Sequence, residues 1–287
     1  MRPALSAFAL ATALATGLGA ALAAVAPVYQ RQPWAPEGTL AAATTARLAL
    51  AAERAAAQER EYPFTPYDGR FIFVRIFFEA QLGSFGRFRG GGEPPWHHDY
   101  PYAERNLTSI LAEISRTRAY TGGGNVFSLK DPELFRFPAA WLAEPGQWNP
   151  TDEEAALLGA YLRKGGFIIF DDFDGPDLDH LVRTMERVLP GLRPIRLDGT
   201  EPIFRAFFEV QPYELQFQSY RASRGQPEQY WGYFEDNDRT RRQIAILNHN
   251  NDIGEFMEYS ATGFSAVNMA NEAYKLGVNY ILYAMTH

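Results

Sequence analysis

Residues 162–175 read LRKGGFIIFDDFDG, and this stretch is the most informative about the fold. The pair Gly165-Gly166 is expected to end a preceding helix, because glycine is a poor helix former. The apolar residues 167–170 predict a compact strand that is buried on both faces. Two carboxylates, Asp171 and Asp172, follow it directly. A helix, a buried strand and a polar turn in this order are typical of a doubly wound α/β domain, in which ligands bind beyond the carboxyl ends of the strands.

The alternation of strands and helices continues on both sides of this stretch. Upstream, the apolar run FIFVRIFF at 71–78 predicts a second buried strand, and the apolar spacing over 103–118 predicts an amphipathic helix. Downstream, an apolar stripe predicts a helix over 178–189 that ends at Pro190-Gly191. The pattern therefore predicts a mostly parallel sheet with helices packed on it. Further predicted elements are a helix opened by a capping box at Thr151, strands at 137–142, 195–197, 207–210, 230–234 and 244–247, and a helix over 266–283 whose Val267 would help to close the core.

Several long motifs give the chain a family resemblance. They are YDGRFIFVRI (67–76), WHHDYPYAERNL (96–107), FPAAWLAEPGQWNPTDEE (137–154), LRKGGFIIFDDFDG (162–175), FEDND (234–238), NNDIGE (250–255) and NEAYKLGVNYILYAMTH (271–287). In this order they resemble the domain-of-unknown-function 4159 family, from about Tyr62 to the C-terminus. The resemblance implies a flavodoxin-like three-layer α/β sandwich, similar to the fold of class I glutamine amidotransferases and trehalose-utilisation-like proteins. It implies a fold and no reaction.

Composition excludes several classes of function. The chain has 287 residues, of which 46% are hydrophobic and none is cysteine. This is enough apolar material for a large core, without disulfides, thiolate nucleophiles or cysteine-bound metals. In the amidotransferase-like fold the turn after a central strand carries the catalytic cysteine, and Asp171 and Asp172 hold the matching place here. A carboxylate cannot replace a thiolate in amide transfer, so the chain is not a glutamine amidotransferase. The net charge of −7 argues against a nucleic-acid partner.

The N-terminus predicts export. Arg2 precedes an apolar run from Ala4 to Ala26, and Ala21-Leu22-Ala23 has the small-x-small pattern of a cleavage site. We expect a signal peptide at 1–26, a leader at 27–61 that is either a linker or an Ala-rich helix, and the α/β domain at 62–287. The apolar run is also long enough for an uncleaved anchor, although its alanine, threonine and glycine content favours cleavage. The protein is thus expected in the periplasm or outside the cell, and at a membrane only if the signal is retained.

Polar residues follow several of the predicted strands. Glu144 comes after the strand near Leu142, Asp171 and Asp172 after Phe170, the segment 235–238 after Phe234, and the segment 248–252 after Leu247. Because parallel strands end at one edge of a sheet, we expect these side chains to share a crevice, with the loop 96–100 over it. The residues predicted to bind a ligand are Trp96, His98, Asp99, Tyr100, Asn250, Asn251, Asp252 and Glu255.

Two functions fit such a crevice. The first is a non-catalytic binding or scaffold protein of the cell envelope, which recognises a small polar ligand or a protein partner. The second is a hydrolase of carbohydrate-like substrates, with Asp171 or Asp172 as base and Glu144 as acid. In it a divalent cation at Asp172 and Asp252 would assist. Convergence of Glu144, Asp172 and Asp252 near His98 would favour the hydrolase, and their dispersal would exclude it.

Simpler roles are open for the same residues. An Asp after a strand often caps the next helix, which would explain Asp174 or Asp177 near Pro176. Asn and Asp also bond their own backbone in turns, which would explain 248–252. Histidines in loops, such as His97 and His98, are commonly surface residues, and Trp96 is as well suited to a core as to a sugar ring. The glycine clusters at 90–92 and 122–124 lack the Lys-Ser/Thr of a phosphate-binding loop, so we expect both to be ordinary loops.

Overall fold

A computed structural model of the chain describes residues 62–79, 94–215, 225–263 and 267–287. The predicted signal at 1–26, the leader at 27–61 and the glycine cluster at 90–92 lie outside the described residues. The described residues form one seven-stranded sheet in the order β2-β1-β3-β4-β7-β6-β5. The strands are β1 (Phe71–Ile76), β2 (Ala119–Phe127), β3 (Ala139–Ala143), β4 (Phe167–Phe173), β5 (Ile195–Arg196), β6 (Gln229–Phe234) and β7 (Gln243–His249).

The direction of the strands confirms the predicted mostly parallel sheet. The pairs β1–β2, β1–β3, β3–β4 and β4–β7 are parallel. Strand β6 pairs antiparallel with both β7 and β5. The carboxyl ends of β1, β3, β4 and β7 therefore share one edge of the sheet, whereas β6 ends at the other edge.

Five α-helices lie among the described residues, and the start of α2 follows a local sequence signal. In α2 the Oγ1 of Thr151 accepts from the N–H of Glu154, whose carboxylate accepts from the N–H of Thr151, so the predicted capping box is confirmed. None of the helices among the described residues is long and apolar enough to cross a membrane. The helices are α1 (Tyr102–Ile114), α2 (Asp152–Arg163), α3 (Asp177–Val188), α4 (Ile253–Glu258) and α5 (Val267–Thr286), with short 3-10 turns at Pro95–His97, Pro132–Arg136, Pro145–Gln147, Pro202–Arg205, Glu235–Asn237 and Tyr259–Ala261.

The helices cover both faces of the sheet, and the core lies in two layers. Successive strand residues point to opposite faces, so one strand contributes to both layers. Ile72 of β1 packs in the layer that contains Leu158 of α2, and Phe73 packs in the layer that contains Leu107 of α1 and Leu276 of α5. The result is a three-layer α/β sandwich.

Three local predictions were wrong. The segment 122–124 lies within β2 and is not a loop. Glycine is needed at position 124 of this strand, because a Cβ there would come within 2.8 Å of the carbonyl oxygen of Phe73. The segment 207–210 is not a strand, since the backbone N–H groups of Phe207 and Phe208 donate to the Oδ1 of Asn279. Val267 is 73% exposed and does not close the core.

Candidate functional site

Five ionisable side chains meet at the shared carboxyl edge of the parallel strands. They form two overlapping groups of three that share His98: one with Glu144 and Asp172, the other with Asp99 and Asp252. Within each group, one potential ligand atom per residue lies within 4.8 Å of the others. We call these five residues the acidic cluster. Glu144, Asp172 and Asp252 thus each have a potential ligand atom within 4.8 Å of one on His98, with Glu144 and Asp172 in one group and Asp252 in the other.

A bulge at the end of β4 places Asp172 in the cluster. The sequence predicted that this strand ends at Phe170, but it continues to Phe173 and includes both carboxylates. The register between β4 and β7 shifts between Phe170 and Phe173, and Asp172 has a φ of 56°. A bulge of this kind changes the direction of a side chain, so that neighbouring residues such as Asp171 and Asp172 can serve different purposes.

The backbone is strained at three members of the acidic cluster. Asp99, Glu144 and Asp172 have φ values of 66°, 48° and 56°, in the left-handed region that favours glycine. Non-glycine residues in this region cost free energy and are concentrated at functional sites. The strain is consistent with a set of side chains held in place for a ligand.

His98 and Asp172 form the closest ionic contact of the cluster. The Nδ1 of His98 lies 2.8 Å from the Oδ2 of Asp172 and 3.6 Å from the Oδ1 of Asp99. Pairing with Asp172 raises the pKa of His98 from 6.5 to about 10, against the opposing effect of burial. The His98 side chain is 44% exposed, so the cluster is open to solvent on this side.

Asp99 and Asp252 form the buried side of the cluster. The side chain of Asp99 is 0% exposed, and no hydrogen-bond donor among the described residues reaches either of its carboxylate oxygens. Asp252 is 8% exposed and caps α4, with its Oδ1 accepting from the N–H of Glu255 at 3.0 Å. Burial, together with the charge of Asp172, raises the pKa of both carboxyls well above the ordinary value. The sequence reasoning expected a turn at 248–252 and did not predict that Asp252 caps a helix.

Asp171 holds the structure beneath the cluster. It is 0% exposed, and its oxygens accept from the Nδ2 of Asn248 and the N–H of Gly254, each at 2.9 Å. The Oδ1 of Asn248 accepts in turn from the hydroxyl of Tyr280. Burial raises the pKa of Asp171 to about 7, although these hydrogen bonds favour the ionised form. Asp171 is thus shielded from solvent and hydrogen-bonded to the scaffold, and its role as the base of a hydrolase stays a prediction.

Arg75 supports the loop that carries His98, and the sequence reasoning missed it. It lies inside β1 at 1% exposure and pairs with Glu104 of α1, which is fully buried. Its Nη1 donates to the carbonyl oxygens of His98 at 2.9 Å and Trp96 at 3.3 Å. The signal was available, since a lone arginine within the apolar run 71–78 must find a partner when the strand is buried.

The remaining predicted ligand residues serve the scaffold. Trp96 is buried and packs against Tyr62 and Phe77, so it does not line the cluster. The amide of Asn250 accepts from the N–H of Gly175 and donates to the carbonyl of Pro227, and that of Asn251 accepts from the N–H of Asp252 and donates to Tyr230. Tyr100 and Glu255 are partly exposed, and their part in ligand binding stays a prediction.

The predicted acidic segment 235–238 does not join the cluster. Its strand, β6, is antiparallel to β7, and Phe234 at the end of β6 pairs with Gln243 at the start of β7. The segment therefore lies at the opposite edge of the sheet, where Asp236 pairs with Arg241 and Glu235 with Arg242. The prediction failed because it assumed that this strand was parallel to the others.

The fold and the cluster define an α/β protein with an acidic site at the carboxyl ends of its parallel strands. The chain belongs to the DUF4159 family, a domain of unknown function, whose family model matches residues 84–285. No curated protein matches the chain.

Proposed function

We propose that this protein binds a cationic polar ligand at the acidic cluster. The observation that carries the proposal is the convergence of four carboxylates from separate parts of the chain, Asp99, Glu144, Asp172 and Asp252, around the single imidazole of His98. One imidazolium balances only one of these carboxylates when all are ionised. A cation is therefore the class of ligand that the cluster recognises. The sequence predicted a protein that binds a small polar ligand, and the charge of the cluster makes that ligand a cation.

Burial strengthens this preference. Carboxylates removed from water lose their hydration, and a bound cation restores favourable interactions that the protein alone does not provide. The strained backbone at Asp99, Glu144 and Asp172 keeps these residues in place before the ligand arrives. The cost of ordering the site is then largely met during folding, which favours affinity.

The test is the thermal unfolding of the protein with a panel of cations: spermidine, Mg²⁺, Mn²⁺ and Zn²⁺. At a concentration of about 100 times its dissociation constant, a ligand that binds only the folded state adds about 2.7 kcal/mol of stability. In a domain of this size the expected rise in the unfolding midpoint is about 5–10 °C. Asp172→Asn should reduce the rise, and Asp179→Asn, at an exposed position of α3, should not. If no cation raises the midpoint, or if Asp172→Asn responds as the wild type does, the proposal is refuted.

A second candidate function is hydrolysis of a carbohydrate-like substrate. It is favoured by the grouping of Asp172 and Glu144 with His98, which is the arrangement expected for an acid and a base that act on one bond. Asp172 would take a proton from the attacking water, and Glu144 would give a proton to the leaving oxygen as the glycosidic bond breaks. Release of nitrophenol from 4-nitrophenyl glycosides should then occur in the wild type and Asp179→Asn but not in Asp172→Asn. Equal rates in these three proteins, or no release by the wild type, would exclude this activity.

We also propose that the protein is exported and that its fold is of the flavodoxin-like, amidotransferase-like type. The apolar run before Ala26 and its small-x-small site support export. N-terminal sequencing of protein from the periplasmic fraction should find a start between residues 22 and 27. The strand order β2-β1-β3-β4 supports the fold type, because it matches the first four positions of the flavodoxin-like order 2-1-3-4-5.

A further inference from the structure

The Asp99 carboxylate is a buried group whose surroundings are incomplete. Its side chain is fully buried, yet no donor among the described residues forms a hydrogen bond with either oxygen. Buried polar atoms almost always form hydrogen bonds, so a buried carboxylate that has none, and whose ion-pair partner His98 Nδ1 is 3.6 Å away, calls for an explanation. The space that holds it exists only because residue 254 is glycine, since a Cβ at Gly254 would overlap the Oδ2 of Asp99. The site thus keeps room for a carboxylate that the rest of the described protein does not satisfy.

The side chains around this carboxylate have the composition of a metal site. One ligand atom each from His98, Asp99 and Asp252 falls within 4.8 Å of the others, and the Oδ1 of Asp99 is 3.6 Å from the Nδ1 of His98. Ligand atoms that share one zinc ion, each at about 2.0–2.2 Å from it, are about 3–4.4 Å from one another. The 3.6 Å between Asp99 and His98 already lies in this range.

We propose that His98, Asp99 and Asp252 bind one divalent transition-metal ion through an imidazole nitrogen and two carboxylates. The inference rests on the proposed function, because it names the cation that the acidic cluster takes. An imidazole among the ligands favours zinc and neighbouring transition metals over Mg²⁺ and Ca²⁺, which prefer oxygen ligands alone. Three protein ligands leave positions for water or substrate, and the partly exposed side of His98 gives access to them.

Glu144 and Asp172 have a different part in this arrangement. They lie with His98 in the second group, and Asp172 contacts the imidazole directly. Asp172 contacts Nδ1, the ring nitrogen that also lies 3.6 Å from Asp99, so it is not a second carboxylate that orients a metal-binding histidine through the other ring nitrogen. Binding of the ion through Nδ1 therefore replaces the contact with Asp172, and Asp172 and Glu144 lie outside the ligand set.

Zinc titration of the full chain after treatment with a chelator tests the proposal. Calorimetry should give one ion per chain for the wild type, and X-ray absorption at the zinc edge should show oxygen and nitrogen ligands with the outer-shell signal of one imidazole. His98→Gln, Asp99→Asn and Asp252→Asn should each weaken zinc binding at least about tenfold, because loss of a ligand costs no less than loss of a supporting residue. His97→Gln is the matched control and should bind zinc as the wild type does, whereas Glu144→Gln tests the other group of three. Circular dichroism verifies that each variant is folded, and His98→Gln changes a side chain that is 44% exposed.

Several outcomes would overturn the inference. Zinc binding that is equal in wild type, His98→Gln and Asp252→Asn would place the ion elsewhere. A loss with Glu144→Gln as large as that with Asp252→Asn would assign the ion to the other group of three. If spermidine raises the unfolding midpoint through Asp172 but zinc does not bind, the metal site is refuted and the proposed cation-binding function stands. If neither binds, both proposals fail.

Discussion

Replacement of Arg75 by methionine tests whether the buried ion pair holds the His98 loop. Methionine keeps the unbranched apolar stem of the side chain and removes its charged end, which leaves the fully buried Glu104 without its partner. Breaking a buried pair in this way costs about 3–5 kcal/mol, because the remaining charge stays in the protein interior. The carbonyl oxygens of His98 and Trp96 also lose a charged donor. We therefore expect a loss of about 4 kcal/mol, which is a large part of the 5–15 kcal/mol, roughly, that stabilises a typical domain.

The assay is urea unfolding of four proteins: the wild type, Arg75→Met, Glu104→Leu and the double variant. For Arg75→Met, a loss of about 4 kcal/mol corresponds to a fall of about 8–16 °C in the thermal midpoint of a domain of this size. The double variant buries no unpaired charge, so its loss should be smaller than the sum of the single losses by about 2 kcal/mol or more. Arg70→Met is the matched control, because Arg70 forms an exposed pair with Asp68 at the start of the same strand, and it should unfold close to the wild type.

Two results would refute this reasoning. Single losses below about 1 kcal/mol would show that the pair is not buried as the structure has it. Single losses that add up in the double variant would show that Arg75 and Glu104 do not interact. The zinc titration described above can be repeated on Arg75→Met, and weaker binding in a folded variant would show that the pair also orders the metal ligands.

Three further predictions follow from the site and its surroundings. In the metal-free protein the pKa of His98 is about 10, so its contribution to stability is complete below pH 6.5 and is lost as the pH rises through about 10. NMR titration should find a charged imidazole at neutral pH, and Asp172→Asn should lower its pKa toward 6.5. Gly254→Ala should place a methyl group against Asp99, destabilise the protein by about 1–3 kcal/mol and abolish zinc binding, as measured by urea unfolding and calorimetry. Thr151→Ala should cost about 1 kcal/mol in urea unfolding through loss of the cap of α2, and zinc affinity should not change.

Much of the fold was predictable because its signals are local. The apolar run 71–78 and the apolar residues 167–170 predicted buried strands, and the cap at Thr151 marked the start of a helix. Strand β2 was not predicted, because its glycines have a higher propensity for loops than for strands. Glycine is favoured in this strand only because the backbone of the neighbouring strand lies close to it. The direction of β6 was also not readable, because a strand has the same alternation of side chains whichever way it runs.

The membership of the acidic cluster was predicted in part. Glu144, Asp172 and Asp252 were identified because they follow strands that end at one edge. Asp171 was also predicted to belong to the crevice, but its side chain accepts a hydrogen bond from the buried Asn248. The bulge at the end of β4 gives Asp171 and Asp172 these different directions. A bulge depends on the pairing with β7, which is remote in the sequence.

The sequence alone determined the α/β class, the absence of thiol chemistry and the positions of most helices and strands. These properties depend on composition and on periodicities of two and 3.6 residues, which each segment carries by itself. The tertiary structure decided which carboxylates are buried and which of them receive hydrogen bonds. Asp171 accepts hydrogen bonds from Asn248 and from the start of α4, whereas Asp99 has no hydrogen-bond partner among the described residues. Burial and charge pairing are sums over neighbours brought from distant parts of the chain, so no single segment encodes them.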